Sequence, residues 1–440
     1  MASILVCAVP TPGHVGPMRS VARHLQAHGH AVTLLTGALF REDVERDGCR
    51  FIALDEAADF DYRDPSVTVE NAQGDCPETT EYNALPVGDE QMAFALEHVF
   101  AASIPVTSAQ LRALIDIHSI QAVVYDSLFT GILPLLRRHS RPAMIMIGVT
   151  PLALSTNDAM FFGPRIPPAV LPPALRALEL RTETESASLQ RIHAAFNAAM
   201  LRSGAAPLDR SFTDHMILDA DACVQLSTPG FEYQRIDLPG HVTLAGPLPF
   251  PTSGPDEVQA LWDSDDGRPL VIVSQGTLAN KDLQQLIGPT LRALEHLPLR
   301  VLATTGGREH GALRVPGNAR VRPFIPFAHW LPAAAVVVTN GGYGTVQYAL
   351  AAGVPLVVAG EGEDKSEVGT RTVMAGCGIN LGTSTPATGD IQRAVTSVLS
   401  CPGYRDRAVA IAAQGGCLDA LECVSRQLAR LMAARGGSAA

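Results

Sequence analysis

Apolar runs at residues 4–9, 31–36, 122–126 and 143–149 alternate along the chain with helix-compatible stretches such as 18–27. Each run is nearly continuous in aliphatic and β-branched residues, the pattern of a strand covered on both faces, so the rhythm predicts β-α-β units around a parallel sheet. After a stretch rich in Pro, Ser and Gly at residues 246–255 the pattern starts again, with runs at 270–274, 300–304, 335–339 and 355–359. No sequence repeat relates the two series, only the rhythm. The expected fold class is α/β, with two doubly wound, Rossmann-like domains.

Residues 336–381 carry the most information. Residues 336–339 read as a buried strand, Gly341, Gly342 and Gly344 as a turn, residues 345–352 as a helix stopped by Gly353 and Pro355, and the next run as a second strand ending in carboxylates. The free N–H groups and positive dipole end of such a helix favour an anion, and glycines remove the Cβ atoms that would hold it away. Glycines also occur in such turns for tight packing alone. The neighbouring chemistry decides between the two.

Length and composition narrow the function classes. A chain of 440 residues suits two domains, each able to bury a substantial core. The net charge of −11, with Lys and Arg scattered, offers no footprint for a nucleic acid. Eight cysteines without a C-x-x-C pair suit free thiols in a reducing cytosol. The N-terminus lacks basic residues and meets Pro10 and Pro12 at once, so it reads as a first strand and not a signal peptide. The longest apolar stretches, around residues 349–360, are interrupted by Gly and Pro, and no membrane span is expected.

Two segments break the rhythm. Residues 55–90 are acidic and turn-rich, and residues 161–175 are too dense in proline for a regular element. The first reads equally as a site-framing loop or solvated padding. The second resembles a lid, with Phe161 and Phe162 as candidate acceptor contacts.

Ligands in open α/β sheets bind beyond the carboxyl ends of strands. In the first half those positions hold His14, in T-P-G-H-V-G-P-M, and Asp126, in A-V-V-Y-D-S-L-F. In the second half they hold Ser274 and Thr277 in S-Q-G-T, Thr305 with Gly306 and Gly307, Asn340 with its glycines, and Glu363 with Asp364. One half offers a base and a carboxylate, the other hydroxyls, amides and backbone N–H groups suited to a diphosphate. A histidine near a helix start also serves as a cap, as does an aspartate after a strand. Together they suit a pair in which Asp126 orients the imidazole while His14 takes a proton. The D-x-D triplets at Asp59 and Asp61, Asp219 and Asp221, and Asp263 and Asp265 are placed unlike a diphosphate-bound metal site and fit chance in an acidic chain.

In order, G-H-V-G-P-M, V-V-Y-D-S, V-I-V-S-Q-G-T, F-I-P-F and N-G-G-Y-G-T through E-D-K resemble the family 1 nucleotide-sugar glycosyltransferases of the GT-B fold. The resemblance covers nearly the whole chain and is strongest over residues 270–381. It is closest to bacterial members that glycosylate small lipophilic acceptors such as polyketides, macrolides or flavonoids. It implies an acceptor domain at 1–246, a linker at 247–258, a nucleotide-sugar domain at 259–418 facing the first across a cleft, and a C-terminal helix at 419–440 packing back on the first domain. It also implies His14 as general base and Asp126 as its partner. Ser274 and Thr277 match the loop contacting the diphosphate and nucleoside, Phe324 the aromatic that stacks on the base, and Ile325 the backbone bonded to the base edge. Gly342, Gly344 and Thr345 match the phosphate turn, and Asp364 the acid that binds sugar hydroxyls. The expected co-substrate is a UDP- or TDP-sugar, with no metal and no resident cofactor, and the expected reaction inverts the sugar.

Three positions depart from the family pattern. Asn340 replaces a histidine that touches the diphosphate, Tyr348 replaces an acid that holds the ribose, and Lys365 replaces a glutamine. Either Lys365 restores charge missing at Asn340, or it pairs with Glu361, Glu363 or Glu367 on the surface. A non-catalytic nucleotide-sugar binder and a GT-B-like epimerase are the rival readings. Oligomeric state and acceptor identity have no motif.

Overall fold

The computed structural model describes residues 1–60, 85, 89–155, 186–235, 238–250, 267–277, 280, 282–311 and 313–436. The chain divides into two compact units. One comprises residues 1–226, 235–245 and 420–440, the other residues 227–234 and 246–419.

The first unit is built on seven strands: β1 (Ser3–Cys7), β2 (Ala31–Thr36), β3 (Arg50–Ala53), β4 (Ala122–Asp126), β5 (Ala143–Gly148), β6 (Ala222–Gln225) and β7 (Val242–Leu244). They pair in the order β3-β2-β1-β4-β5-β6-β7, every neighbour parallel. Helix α1 (Pro12–Ala27) follows β1 and buries Val15, Met18, Ala22 and Leu25, one face at helical spacing. Pro12 at its first position presets the backbone for a helix, and Gly29, at φ +81°, ends the turn beyond it. The helix Ala420–Gly436 belongs to this unit, where Ala420, Val424, Leu428 and Leu431 bury one face, and it packs on β5, β6 and α1.

The second unit has β8 (Leu270–Ser274), β9 (Arg300–Thr304), β10 (Ala319–Arg322), β11 (Ala334–Thr339), β12 (Leu356–Val358) and β13 (Gly378–Asn380). The order is β10-β9-β8-β11-β12-β13, again wholly parallel. Successive residues of the central strands feed opposite faces: Val271, Val273, Val336 and Val338 enter one core cluster, Ile272 and Val337 the other. Burial on both faces explains why the strands read as unbroken apolar runs.

Two helical stretches among the described residues, 90–118 and 402–435, are long and apolar enough by length and composition to cross a membrane, with mean hydropathies of 1.3 and 1.2. The stretch around residues 349–360 is interrupted as expected, Gly353 and Pro355 separating the helix Tyr343–Ala351 from β12. The apolar positions of the stretch 90–118 serve the core, with Leu96, Ala101, Ile104 and Leu111 buried in the first unit.

Candidate active site

Both sheets reverse their strand order once, between β1 and β4 in the first unit and between β8 and β11 in the second. At such a point adjacent loops leave the sheet toward opposite faces and open a crevice at the carboxyl ends of the strands. His14, Asp126, Ser274, Thr277 and Asn340 lie at these two places, while Thr305 follows β9 and Glu363 and Asp364 follow β12.

In the first unit, Asp126 ends β4 and is wholly buried, and its carboxylate is held from three sides. Oδ2 accepts the Val9 N–H at 2.7 Å, Oδ1 accepts the Leu128 N–H at 2.8 Å, and His14 Nδ1 lies 3.0 Å from Oδ1. The Val9 bond ties the loop that launches α1 to the end of β4, so one loop positions both members of the pair. His14 sits in the first turn of α1 with its side chain 13% exposed, enough for a substrate hydroxyl to reach the ring. Nearby, the Cys7 thiol is pushed well above its usual range, first by burial and second by the charge of Asp126. It therefore stays protonated and is no nucleophile.

In the second unit three loops meet. Ser274 is buried at the end of β8, its Oγ accepting the Gly276 N–H at 3.4 Å, and Thr277 is half-buried just beyond. Asn280 Nδ2 donates to the carbonyls of Gly276 and Thr305, both at 2.9 Å, while its Oδ1 accepts from Arg308 Nε at 2.8 Å. Asn340 Nδ2 donates to the Gln275 carbonyl, and its Oδ1 accepts the Gly342 N–H at 3.2 Å. These two amides bind the loops after β8, β9 and β11 into one framework. The loops run so close that a Cβ on Gly306 would collide with the Gly276 carbonyl oxygen, and Gly306 itself sits at φ +64°.

The helix Tyr343–Ala351 starts from this framework. Gly342 is its N-cap, and the first intrahelical bond runs from the Val346 N–H to the Gly342 carbonyl, so the first-turn N–H groups point out of the helix end. Around Gly344 the space is open, and Thr345 lies in the same turn. Phe324 is 57% exposed, and the edge of its ring, at Cζ, lies 3.0 Å from the point where Gly307 would carry a Cβ. Ile325, beside it, packs against the core. Asp364 is the half-buried N-cap residue of the helix Lys365–Met374.

The three departures from the family pattern have physical accounts. Asn340 braces two loops, which leaves one amide N–H to offer a ligand. Tyr348 is half-buried: its ring stacks on Phe250 at 5.2 Å and lies 6.3 Å from Phe327, and burial raises its hydroxyl pKa. Lys365 pairs with Glu363, which is 56% exposed, while its own side chain is 7% exposed and runs beneath Gly341 and Gly360.

Several residues of this framework were not marked by the sequence: Gln275, Asn280 and Arg308, whose one hint is a polar residue shortly after the S-Q-G-T turn. Also unmarked is a buried cluster behind Asp364. Arg371, 1% exposed, bonds Glu232 Oε1 through Nε at 2.8 Å and Nη2 at 2.7 Å, and Glu367 Oε2 through Nη1 at 2.6 Å. The Tyr233 hydroxyl donates to Glu367 at 3.2 Å, and its ring lies 3.9 Å under the guanidinium carbon. Burial opposes the charge on Arg371, and Glu232, Tyr233 and Glu367 outweigh it, holding the guanidinium above its ordinary pKa. The cluster fixes the helix that Asp364 caps to residues 232 and 233.

Phe161 and Phe162 lie outside the described residues, as do Asp61, Asp263 and Asp265. Asp219 and Asp221 are engaged with protein partners, Asp219 with His215 Nδ1 at 2.8 Å and Asp221 with Arg141 at 2.7 Å and the Met144 N–H at 2.8 Å.

Residues 279–421 match the family model of the erythromycin biosynthesis protein CIII-like C-terminal domain. The chain is 33% identical to UDP-glycosyltransferase 2 of Phaeomoniella chlamydospora, over 98% of this chain and 96% of that one. It is 32% identical to 4'-demethylrebeccamycin synthase of Lentzea aerocolonigenes, over 96% and 99%. Among solved structures, the glycotransferase of kitacinnamycin superposes with a TM-score of 0.69 at 22% identity, covering 97% of this chain and 98% of that one. Two parallel α/β units, motifs at both switch points and full-length similarity agree: the chain belongs to the family 1 nucleotide-sugar glycosyltransferases of the GT-B fold, and it is a glycosyltransferase.

Proposed function

We propose that the protein transfers a sugar from a UDP- or TDP-sugar to a hydroxyl of a small lipophilic natural product, with inversion at the anomeric carbon and without a metal ion. The observation that carries this reading is the 3.0 Å approach of His14 Nδ1 to a buried, doubly hydrogen-bonded Asp126. With Nδ1 facing the carboxylate, Nε2 is the ring nitrogen left to take the proton of the substrate hydroxyl. The oxygen then bonds C1 of the sugar as the bond from C1 to the diphosphate oxygen breaks, its electron pair leaving with the nucleotide. Attack from the opposite face inverts C1. The first-turn N–H groups of the helix Tyr343–Ala351, with Ser274 and Thr277, supply hydrogen bonds to the departing charge. Phe324 offers a face for the base and Ile325 its backbone, and Asp364 takes sugar hydroxyls. Asn340 and Lys365 act on the donor through the turn they support.

The name of the Lentzea aerocolonigenes relative ties that enzyme to a natural product, which supports an acceptor of this class. The described cysteines are all free thiols, which supports a cytoplasmic location. The division of labour follows the two units, acceptor on the first and donor on the second.

The test is nucleotide release from UDP- and TDP-sugars with and without a panel of phenols and macrolides, with the linkage of the product read by NMR. Acceptor-dependent release and a β-linked product from an α-linked donor are expected. Isomerised nucleotide sugar would identify an epimerase, and binding without turnover a non-catalytic protein. His14→Ala is expected to lower turnover by about 10²- to 10⁴-fold; undiminished rate would remove the mechanism.

A further inference from the structure

Helix α1 carries a second cluster of chemical groups at the end opposite His14. His24 and His28 lie one turn apart, with ring centroids separated by 4.2 Å. Glu422 comes from the helix Ala420–Gly436, which packs on α1 within the same unit. One ligand atom from each of the three lies within 4.8 Å of the other two, a grouping of His and carboxylate found at no other place among the described residues. Each ring is also anchored through one nitrogen: His28 Nδ1 bonds the His24 carbonyl at 2.8 Å, and His24 Nε2 bonds Ser425 Oγ at 2.8 Å. Outer contacts of this kind fix ring orientation and raise basicity in histidines that ligate metals.

We propose that His24, His28 and Glu422 form a structural site for a divalent transition-metal ion of the zinc class, fastening the C-terminal helix to α1. Two imidazoles and a carboxylate are borderline ligands that suit Zn²⁺, with water completing a tetrahedron. Metal–ligand distances of about 2.0–2.2 Å place ligands about 3.3 Å apart in a tetrahedron. The three atoms must therefore close by up to about 1.5 Å, a side-chain movement open to the exposed His28 and the half-buried Glu422. The ten residues from His14 to His24 span about 15 Å of helix. The ion is thus structural, separate from the proton-transfer site, and this inference stands apart from the proposed reaction.

The experiment is isothermal titration of the metal-stripped full-length protein with Zn²⁺, alongside thermal unfolding in excess Zn²⁺ or EDTA. One equivalent bound at micromolar affinity or tighter is expected, with a midpoint several degrees higher in Zn²⁺. His28→Ala and Glu422→Gln should each weaken binding at least tenfold and abolish the thermal gain, while their midpoints in EDTA match the parent. The Co²⁺ form should lack sulfur-to-metal absorption. Failure to bind one equivalent, affinity unchanged in both variants, or a thiolate band would overturn the proposal and leave the cluster a simple histidine–carboxylate contact.

Discussion

Arg371→Leu isolates the energetics of the second unit. The arginine is 1% exposed and holds two carboxylates, Glu232 at 1% and Glu367 at 10% side-chain exposure, with the Tyr233 ring beneath it. Leucine fills part of the volume and removes the charge, so both carboxylates are left buried without a cation. Breaking a buried pair by removing one partner costs about 3–5 kcal/mol. For a unit of this size that corresponds to a fall of about 6–20 °C in its unfolding midpoint. The loss should depend on pH with a definite sign. Burial already pushes the Glu367 carboxyl above its ordinary value, and without Arg371 it rises further. A carboxyl whose folded pKa exceeds its unfolded value binds more protons when folded, so the variant gains stability as pH falls toward about 4.3 and loses it as pH rises. Thermal unfolding at pH 5 and pH 8 checks both points, with Glu232→Gln and Glu367→Gln added to Arg371→Leu as the control that removes the stranded charges. A midpoint within about 2 °C of the parent, or a variant no less stable at pH 8 than at pH 5 relative to the parent, would refute the reasoning.

The other expectations concern the donor framework. Asn280→Ala removes three hydrogen bonds, one to a guanidinium, and should cost about 2–4 kcal/mol in urea unfolding while raising the donor KM; a loss below about 0.5 kcal/mol would show that the brace is idle. Phe324→Ala, at an exposed position, should leave stability intact yet weaken donor binding by about 1–3 kcal/mol, or about 5- to 150-fold, in a titration with UDP or TDP. Gly306→Ala puts a Cβ against the Gly276 carbonyl and forces alanine into left-handed backbone worth about 1–2 kcal/mol by itself, so donor KM should rise and unfolding shift downward. Unchanged donor kinetics in that variant would contradict the close approach of the two loops.

Much of the architecture was legible along the chain, because parallel strands buried on both faces must be continuous apolar runs and their crossovers must carry helical spacing. The runs at 270–274 and 335–339 coincide with β8 and β11 almost residue for residue. Gly342 and Gly344 were legible for the same reason, since a strand, a glycine turn and a helix in succession is a local pattern. The interruptions at Gly353 and Pro355 were legible too, since they separate the helix Tyr343–Ala351 from β12.

What the chain alone determined is therefore the set of elements and the supply of chemical groups at strand ends. Which groups meet was decided by strand order. Placing β4 beside β1 brings Asp126 to His14, and placing β11 beside β8 lets Asn340 reach the Gln275 carbonyl. The same holds for burial, since Tyr348 turned inward to Phe250 and Lys365 ran under the glycine turn through packing that no local pattern encodes. Periodicity reports a residue's own backbone and face, whereas contact between distant residues depends on how separate loops converge after the sheets close.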